Sequence, residues 1–315
     1  MKPIVCAGII VADHVSSPLH HLPTAGELIL ADSLRLTLGG CAANVGTNLH
    51  RLGVPCIVSG RVGDDSFGDL TRSLLKKEGI DISRIITTPE CDTSQTLIVN
   101  VAGQDRRFIH TYGANAHYKA CDIPSEPPPS ILYLGGYLLM SSCLPNDLAP
   151  ILKKAQSQGS RVVLDVVTPK PADYISWLEP VLPFVDYFLP NDHEAQLITG
   201  KADPNEQAAI FRKMGVRNAI ITMGERGTLW VGEKGKWSAG VDKVTYLDGS
   251  GSGDAFAAGL ILALHEEMSE PEALRIASAV GASCVRALGT TAGVFNRLEL
   301  DTFVRQHPLE IRPIN

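Results

Sequence analysis

Short apolar runs alternate with amphipathic stretches along most of this chain. Residues 57–62 form a mostly apolar run that predicts a strand, and Asp65 then starts a helix that Gly79 ends. Farther along, an amphipathic stretch over about 147–159 predicts a helix, and the apolar run 162–166 predicts the next strand. This succession indicates β-α units around a mostly parallel sheet.

Two regions interrupt that succession. Residues 14–37 and 91–112 signal no helix, and the segment Thr96-Leu-Ile-Val-Asn-Val101 alternates loosely between apolar and polar positions. Such regions are typical of a small separate β layer or of a pair of surface hairpins. The pattern leaves both alternatives open.

The N-terminal residues 4–12 form an apolar run that predicts a buried first strand. A single lysine precedes the run, and it leads into Asp13 and His14 rather than into a small-residue cleavage site, so it is unlike a secretory signal. No apolar stretch reaches the ~18 residues that a transmembrane helix needs. We therefore expect no membrane partner.

Composition and charge are those of an ordinary globular protein. The chain has 315 residues, of which 44% are hydrophobic and 20% charged, enough for one large core with an appendage. Its net charge is −6 and its lysines and arginines are scattered, so we expect no nucleic-acid partner. The 7 cysteines are widely spaced and form no C-x-x-C pair, which predicts free thiols in a reducing, cytoplasmic compartment.

The glycine-rich segment 248–254, Asp-Gly-Ser-Gly-Ser-Gly-Asp, carries the clearest chemical signal. It follows an apolar stretch and precedes an apolar, helix-favouring one. Its glycines let backbone N–H groups turn inward, and the N-terminus of the next helix adds partial positive charge, so the segment is suited to hold an anion such as phosphate. It has no P-loop lysine, no last glycine of a dinucleotide-binding motif and no central serine of a nucleophile elbow.

Asp254, the last residue of this segment, is unexpected beside an anion site. Its negative charge repels an incoming phosphate, yet its carboxylate can accept the proton of an alcohol that attacks phosphorus. The alternative is that Asp254 only stabilises the helix N-terminus through its charge.

Several motifs resemble the ribokinase-like (PfkB) carbohydrate kinase family. Segment 248–254 resembles its second signature, usually Asp-Thr-x-Gly-Ala-Gly-Asp, and Gly39-Gly-Cys-Ala-Ala-Asn44 resembles its first. Gly249 stands where threonine is usual, and Gly46 where serine, threonine or alanine is usual. The resemblance covers nearly the whole chain, because further family elements follow in the expected order: Asp13, Asn191-Asp-His-Glu194, Thr222-Met-Gly-Glu-Arg-Gly227 and Leu288-Gly-Thr-Thr291.

The resemblance implies an α/β fold of three layers, α/β/α, with a mostly parallel central sheet and a small β lid. Residues 1–13, 38–90 and 113–315 would form the core with the ATP and catalytic sites, and residues 14–37 and 91–112 the lid over the sugar site. It implies an ATP-dependent kinase for a small carbohydrate of the ribose, fructose or keto-deoxy-sugar type. Mg²⁺ and a candidate K⁺ would be cofactors, and pairing through the lids would give a homodimer.

The resemblance also assigns the catalytic centre. Asp254 would be the general base that takes the proton from a sugar hydroxyl as it attacks the γ-phosphate of ATP. The backbone N–H groups of Gly251, Ser252 and Gly253 would form an anion hole for the transferred group.

Other family positions match residues for the sugar. Asp13 and Asn44 would hydrogen-bond its hydroxyls, Gly39 and Gly40 would permit close backbone approach, and Arg107 would meet an acidic or hydroxylated end of the substrate. Without the resemblance, Asp13 is equally a strand-end turn residue, Asn44 a helix cap and Arg107 a solvated charge on an edge strand.

Two pairs of residues match ion sites of the family. Asn191 and Glu194 would position Mg²⁺ and the ATP phosphates through waters, although alone they would indicate only a turn that caps a helix. Asp248 and the carbonyl group of Ser250 resemble a monovalent-cation site and would hold K⁺.

The resemblance also assigns residues of the nucleotide site, which either are small or lie beside a glycine turn. They are Thr222, Gly224, Gly227, Ala277 and Gly281. Because small residues in an apolar helix also allow close packing, the assignment of Ala277 and Gly281 depends wholly on the resemblance.

Two other functions fit the same motifs. A nucleoside kinase of the adenosine type would apply this chemistry to a ribosyl hydroxyl, although the aromatic content of 6% gives it little support. A non-catalytic sugar or nucleotide sensor would need neither Asp254 nor the glycine loop, and the chain retains both.

Overall fold

The computed structural model describes residues 2–104, 106–169 and 172–314. The β-strands are β1 Ile4–Gly8, β2 Val11–Ser16, β3 Leu34–Gly39, β4 Cys56–Gly63, β5 Ile85–Thr88, β6 Gln95–Val99, β7 Arg107–Thr111, β8 Ile131–Gly135, β9 Arg161–Leu164, β10 Tyr187–Phe188, β11 Asn218–Thr222, β12 Thr228–Gly232, β13 Lys236–Ala239 and β14 Ile311–Pro313. The α-helices are α1 Cys41–Arg51, α2 Ser66–Lys77, α3 Pro145–Ser157, α4 Tyr174–Leu178, α5 Asp192–Thr199, α6 Pro204–Lys213, α7 Ser252–His265, α8 Glu270–Cys284 and α9 Arg297–Gln306.

The central sheet has the strand order β14-β13-β12-β11-β10-β9-β8-β1-β4-β5. Neighbouring strands are parallel from β5 to β11, whereas β11 to β14 pair antiparallel at one end. The predicted mostly parallel α/β sheet is thus confirmed. Its central strand β8 is buried along its whole length, as expected for a strand covered on both faces.

A second, four-stranded sheet has the order β3-β2-β6-β7. It contains the Thr96-Leu-Ile-Val-Asn-Val101 segment, whose register pairs Thr96 with both Asp13 and His110. The two regions without helix signals therefore meet in one small sheet, which we call the lid. A pair of independent hairpins is excluded, because β2 and β6 pair parallel to each other.

Most of the predicted elements agree with the structure. The strand over 57–62 corresponds to β4, and the Asp65 carboxylate caps α2 by accepting a hydrogen bond from the Gly68 N–H at 2.7 Å. The apolar run 4–12 was wrongly predicted as one strand, because β1 ends at Gly8 and β2 belongs to the lid. Gly8 has a φ of 136°, and a Cβ there would lie 2.1 Å from the Gly135 carbonyl oxygen, so the chain turns where only glycine fits.

Helices α7 and α8 pack closely beneath the site. Residues 255–264 of α7 are buried throughout, and a Cβ added to Gly259 would lie 2.8 Å from the Ala277 Cα of α8. This close approach sets the spacing between the two helices. Over the described ranges we find no helix with both the length and the apolar character to cross a bilayer.

Candidate active site

The carboxyl ends of the parallel strands bring polar residues to one edge of the central sheet. Asp165 follows β9, Asn191 follows β10, and Thr222 ends β11. Asn191 and Thr222 form a parallel bridge, so these two segments lie side by side. In open α/β sheets this edge is where ligands bind.

The glycine loop 248–254 leads into the N-terminus of α7 at this edge. Gly251 has a φ of 77°, and a Cβ there would lie 2.3 Å from the Thr290 carbonyl oxygen, so glycine is required. Helix α7 begins without a side-chain cap, which leaves N–H groups of its first turn for an anion. The Ser252 N–H also faces the Gly249 carbonyl oxygen at 3.3 Å, a long hydrogen bond that a stronger acceptor can displace.

Asp254 lies in the first turn of α7 and is held by a short chain of hydrogen bonds. The Asn44 Nδ2 amide donates to Asp254 Oδ2 at 2.8 Å, and the Thr290 hydroxyl lies 2.9 Å from Asn44 Oδ1. Burial raises the pKa of Asp254, while hydrogen bonds from Asn44 and the Cys41 thiol act in the opposite direction. The two signature motifs therefore meet at one carboxylate.

Asp13 reaches the same place from the lid strand β2. A Cβ on Gly39 would lie 1.9 Å from Asp13 Oδ2, so the missing side chain at Gly39 makes room for this carboxylate. Burial raises the pKa of Asp13 to about 7; a hydrogen bond from Thr96 lowers it, and the charge of Asp254 raises it further. Gly40, at φ 90°, brings the chain against the Ile9 carbonyl, and α1 with Asn44 starts at the next residue.

Cys41 and Asp165 also lie close to Asp254. One ligand atom from each of these residues lies within 4.8 Å of the others. Burial raises the pKa of Asp165 to about 8, the charge of Asp254 adds to this, and hydrogen bonds from Tyr133 and the Val166 N–H act in the opposite direction. The site thus gathers acidic groups that a bound cation would stabilise as anions.

Glu194 extends this acidic group toward Asn191. The two residues form a capping box at the start of α5, in which each side chain accepts a 2.9 Å hydrogen bond from the other's backbone N–H. Burial raises the pKa of Glu194 well above its usual range, and the charges of Asp165 and Asp254 raise it further. Glu194 is therefore both a cap and a member of the cluster.

The predicted ATP-binding residues lie in two places. Thr222, Gly224 and Gly227 surround a tight turn after β11, in which the Met223 N–H donates to the Gly227 carbonyl at 2.8 Å. Gly281 lies against the start of α7, because a Cβ added to Gly281 would lie 3.3 Å from the Ser252 carbonyl oxygen. Ala277, by contrast, is fully buried against α7, so its assignment to the adenine site stays a prediction.

Asp248 and Ser250 lie in the first half of the glycine loop and are buried. The Asp248 carboxylate accepts hydrogen bonds at 2.9 Å from the N–H groups of Ser250 and Gly289. The Cys284 thiol donates toward the carbonyl oxygens of Ser250 at 3.3 Å and Thr290 at 3.2 Å. Within the described residues, the buried Ser250 hydroxyl has no hydrogen-bond partner.

The orientation of Arg107 differs from the prediction. Its side chain is exposed and donates to Gln104 Oε1 at 2.6 Å, outside the site. The half-buried Arg106 lies instead against the glycine loop, where a Cβ on Gly249 would be 2.3 Å from Arg106 Nη1. Adjacent residues of an extended segment point to opposite faces, so only one of this pair can face inward, and we no longer assign Arg107 to the site.

Sequence reasoning missed three residues near Asp254: Cys41 and Asp165, which lie close to its carboxylate, and Thr290, which contacts Asn44. Thr290 belongs to a quoted family element but had no assigned role, and Cys41 lies inside the first signature. Asp165 gave a signal that was available: an acidic residue in an otherwise apolar run, at the end of a predicted parallel strand.

Comparison with known proteins identifies the family of the chain. The family model described as pfkB family carbohydrate kinase matches residues 1–296. A ribokinase of Haemophilus influenzae is 29% identical over 311 residues, which cover 96% of this chain and 98% of that protein. A 2-dehydro-3-deoxygluconokinase of Bacillus subtilis is 26% identical, and the match covers 85% of this chain and 86% of that protein. An aminoimidazole riboside kinase of Salmonella typhimurium is 25% identical, and the match covers 86% of this chain and 89% of that protein.

Solved structures confirm the ribokinase-like fold. Ribokinase of Thermotoga maritima superposes with a TM-score of 0.79 at 25% identity over 97% of this chain and all of that chain. Ribokinase of Arabidopsis thaliana, solved with ribose and ATP, gives a TM-score of 0.80 at 22% identity over 96% of this chain and 99% of that chain. An E. coli protein solved with ATP and Mg²⁺ gives a TM-score of 0.82 at 22% identity over 98% of this chain and 100% of that chain.

Proposed function

Because the chain belongs to the pfkB family of carbohydrate kinases, phosphotransferases that act on sugar hydroxyls, we propose that it transfers the γ-phosphate of ATP to a small carbohydrate. The observation that carries this proposal is the 2.8 Å contact between Asn44 and Asp254 at the uncapped N-terminus of α7. It places a hydrogen-bonded carboxylate beside N–H groups suited to a phosphate, which is the arrangement that base-assisted phosphoryl transfer needs.

In this mechanism Asp254 accepts the proton of the sugar hydroxyl. The sugar oxygen forms a bond to the γ-phosphorus as the bond from phosphorus to the ADP oxygen breaks. The N–H groups at Gly251, Ser252 and Gly253 stabilise the charge of the transferred group. Asn44 orients the base, and burial raises the pKa of Asp254, so that it is a stronger base than a solvated aspartate.

The proposed sugar site lies between the lid and the first signature. Asp13, Asn44 and the backbone at Gly39 and Gly40 offer acceptors and donors for vicinal hydroxyls, and Asp13 is already adjacent to Gly39.

The proposal includes the division of the chain into the core, 1–13, 38–90 and 113–315, and the lid, 14–37 and 91–112. The strands of the second sheet agree with it within a few residues.

ATP and Mg²⁺ are proposed as cosubstrate and cofactor. The acids Asp165, Glu194 and Asp254 fit a divalent cation, because burial raises the pKa of each of them and the charge of Asp254 raises it further for Asp165 and Glu194. Glu194 and Asn191 would hold Mg²⁺ through waters, and Mg²⁺ would supply neutralisation of phosphate charge. Thr222, Gly224 and Gly227 would line the nucleotide site.

A K⁺ site is proposed at the buried first half of the glycine loop. Asp248 supplies a buried negative charge there, and the buried Ser250 hydroxyl, unpartnered among the described residues, together with the Ser250 carbonyl oxygen offers ligands that K⁺ accepts. Activation by KCl but not by tetramethylammonium chloride, abolished in Asp248→Asn, is the expected result. Equal rates in both salts would contradict this part of the proposal.

We also propose a homodimer formed through the lid. The lid exposes apolar side chains, among them Leu34 at 75% and Ile109 at 66% exposure, and large exposed apolar patches mark interaction surfaces. Sedimentation should show a dimer for the wild type and a monomer for Ile109→Glu. A monomeric wild type would refute the dimer without affecting the kinase proposal.

All 7 cysteines are described and free, in keeping with the cytoplasmic location expected from their spacing.

The kinase proposal is tested by coupled ADP release over a panel of acceptors. Ribose, fructose, 2-keto-3-deoxygluconate and ribosides cover the chemistry named for the relatives, and a preference for ribosides would favour the nucleoside-kinase alternative. Asp254→Asn should lower kcat by about 10²-fold or more. Asp69→Asn is the matched control, because Asp69 is also a first-turn acid of a helix but is exposed. Equal losses in both variants would show that Asp254 acts only on the helix.

A further inference from the structure

Gly249 is the residue of the glycine loop that departs from the family pattern, and the space beside it is occupied. A Cβ at this position would lie 2.3 Å from Arg106 Nη1 and 3.2 Å from Arg106 Cζ. Contacts under 3.0 Å are essentially absent between real Cβ atoms and their neighbours, so a side chain at 249 would require the flexible end of Arg106 to move. The absence of a side chain at 249 therefore leaves room for the Arg106 guanidinium beside the loop.

Arg106 reaches the loop from the lid. It precedes β7, is half-buried, and its Cζ lies 5.6 Å from the centre of the Phe108 ring two residues along, on the same face of the strand. The Tyr246 hydroxyl would lie 3.1 Å from a Cβ on Gly249, so it borders the same space. The lid therefore presents a cation to the segment that we propose binds phosphate.

We propose that Arg106, which the lid places beside Gly249 of the glycine loop, is an anion-binding residue of the active site. This inference rests on the proposed kinase function. Its ligand is an anionic oxygen beside Gly249, supplied either by the phosphoryl group in transfer or by an acidic group of the acceptor sugar. A planar guanidinium with several N–H donors suits both, because carboxylate and phosphate oxygens can accept two parallel hydrogen bonds.

The adjacent arginine supplies a matched control. Arg106→Gln and Arg107→Gln remove the same charge from neighbouring positions, but the Arg107 side chain is exposed and donates to Gln104 away from the site. We expect kcat/KM to fall about 10- to 100-fold in Arg106→Gln, as for loss of a hydrogen bond between charged groups, and to change little in Arg107→Gln. Arg106→Lys should recover part of the loss.

The choice of acceptor distinguishes the two sources of the anion. If Arg106 binds the phosphoryl group, Arg106→Gln lowers kcat equally with ribose and with 2-keto-3-deoxygluconate. If it binds the acid of the acceptor, KM rises for 2-keto-3-deoxygluconate alone. Equal kcat/KM in Arg106→Gln and Arg107→Gln on both acceptors would overturn the inference.

A second variant tests the shared space directly. Gly249→Thr should displace the guanidinium and reproduce the loss, and the double variant Arg106→Gln/Gly249→Thr should be no worse than Arg106→Gln within about 2-fold. Losses that multiply would count against the inference. If the wild type phosphorylates no acceptor, the proposed function fails, and Arg106 is then judged by inorganic phosphate. The rise in Tm with phosphate should be absent in Arg106→Gln and kept in Arg107→Gln, and an equal rise in both would overturn the inference.

Discussion

Replacing Asn44 with alanine should move the pH dependence of the reaction. The Asn44 amide donates to Asp254 at 2.8 Å, and this hydrogen bond stabilises the carboxylate against protonation. A hydrogen bond to a charged group contributes about 1.5–3 kcal/mol. Because one pKa unit corresponds to about 1.4 kcal/mol, the pKa of Asp254 in Asn44→Ala should rise by about 1–2 pH units.

The assay is kcat/KM for ADP release between pH 5 and 9, whose acidic limb reports the ionisation of the free enzyme's base. As the proposed base, Asp254 must be deprotonated to act, so we expect activity to be lost as the pH falls through its pKa. In Asn44→Ala the limb should shift to higher pH, which makes the loss larger at pH 6 than at pH 9. Weaker sugar binding by the variant would lower the whole curve without shifting the limb.

Asn48→Ala provides the control for packing. Asn48 lies one turn farther along α1, is fully buried, and has no hydrogen-bond partner for its amide among the described residues. Its truncation should lower stability and leave the acidic limb in place. An identical limb in the wild type, Asn44→Ala and Asn48→Ala would refute the view that Asn44 sets the ionisation of the base.

The other predictions concern stability. The pKa of Asp165 is raised to about 8, so the stability it contributes is present below the unfolded-state pKa and is lost as pH rises toward 8, with a slope of at most about 1.4 kcal/mol per pH unit. Asp165→Asn should therefore gain Tm relative to the wild type between pH 5 and 9, whereas parallel curves would contradict this. Gly251→Ala should lower the free energy of unfolding in urea by about 1–3 kcal/mol, because alanine is strained at φ 77°. Gly253→Ala should change it little, since an added Cβ there has no neighbour within 4 Å, and equal urea midpoints for the two variants would show that Gly251 is not strained.

The fold was largely predictable because its signals are local. The Asp65 cap, the glycine loop and the apolar strands each depend on residues close in sequence, and each appears where the pattern indicated. The break at Gly8 was missed because its cause is distant: the Gly135 backbone on the neighbouring strand leaves no room for a side chain. A run of apolar residues carries no sign of such a contact.

The site was predictable in its motifs and less so in its packing. The meeting of Asn44 with Asp254 follows from the resemblance, but the pairing of Arg106 with Gly249 depends on which face of a lid strand turns inward. The departure at Gly46 has a similar cause, because a Cβ there would lie 2.3 Å from the Val58 side chain. At Gly249 and Gly46, a residue distant in sequence therefore occupies the space that the usual side chain of the family would need.

The hydrogen bonds that end at Asp254 have a fixed polarity. Thr290 can donate to Asn44 Oδ1, and this leaves the amide nitrogen of Asn44 to donate onward to Asp254. If the amide rotated by half a turn, its oxygen would face the carboxylate oxygen, and two acceptors would repel each other. The Thr290 hydroxyl also lies 2.9 Å from the Leu38 carbonyl oxygen, so it can serve either orientation of the amide, and the carboxylate itself sets the direction. The amide proton of Asn44 therefore points toward Asp254 and keeps that carboxylate an acceptor, which is the state in which the proposed base can take a proton from a substrate.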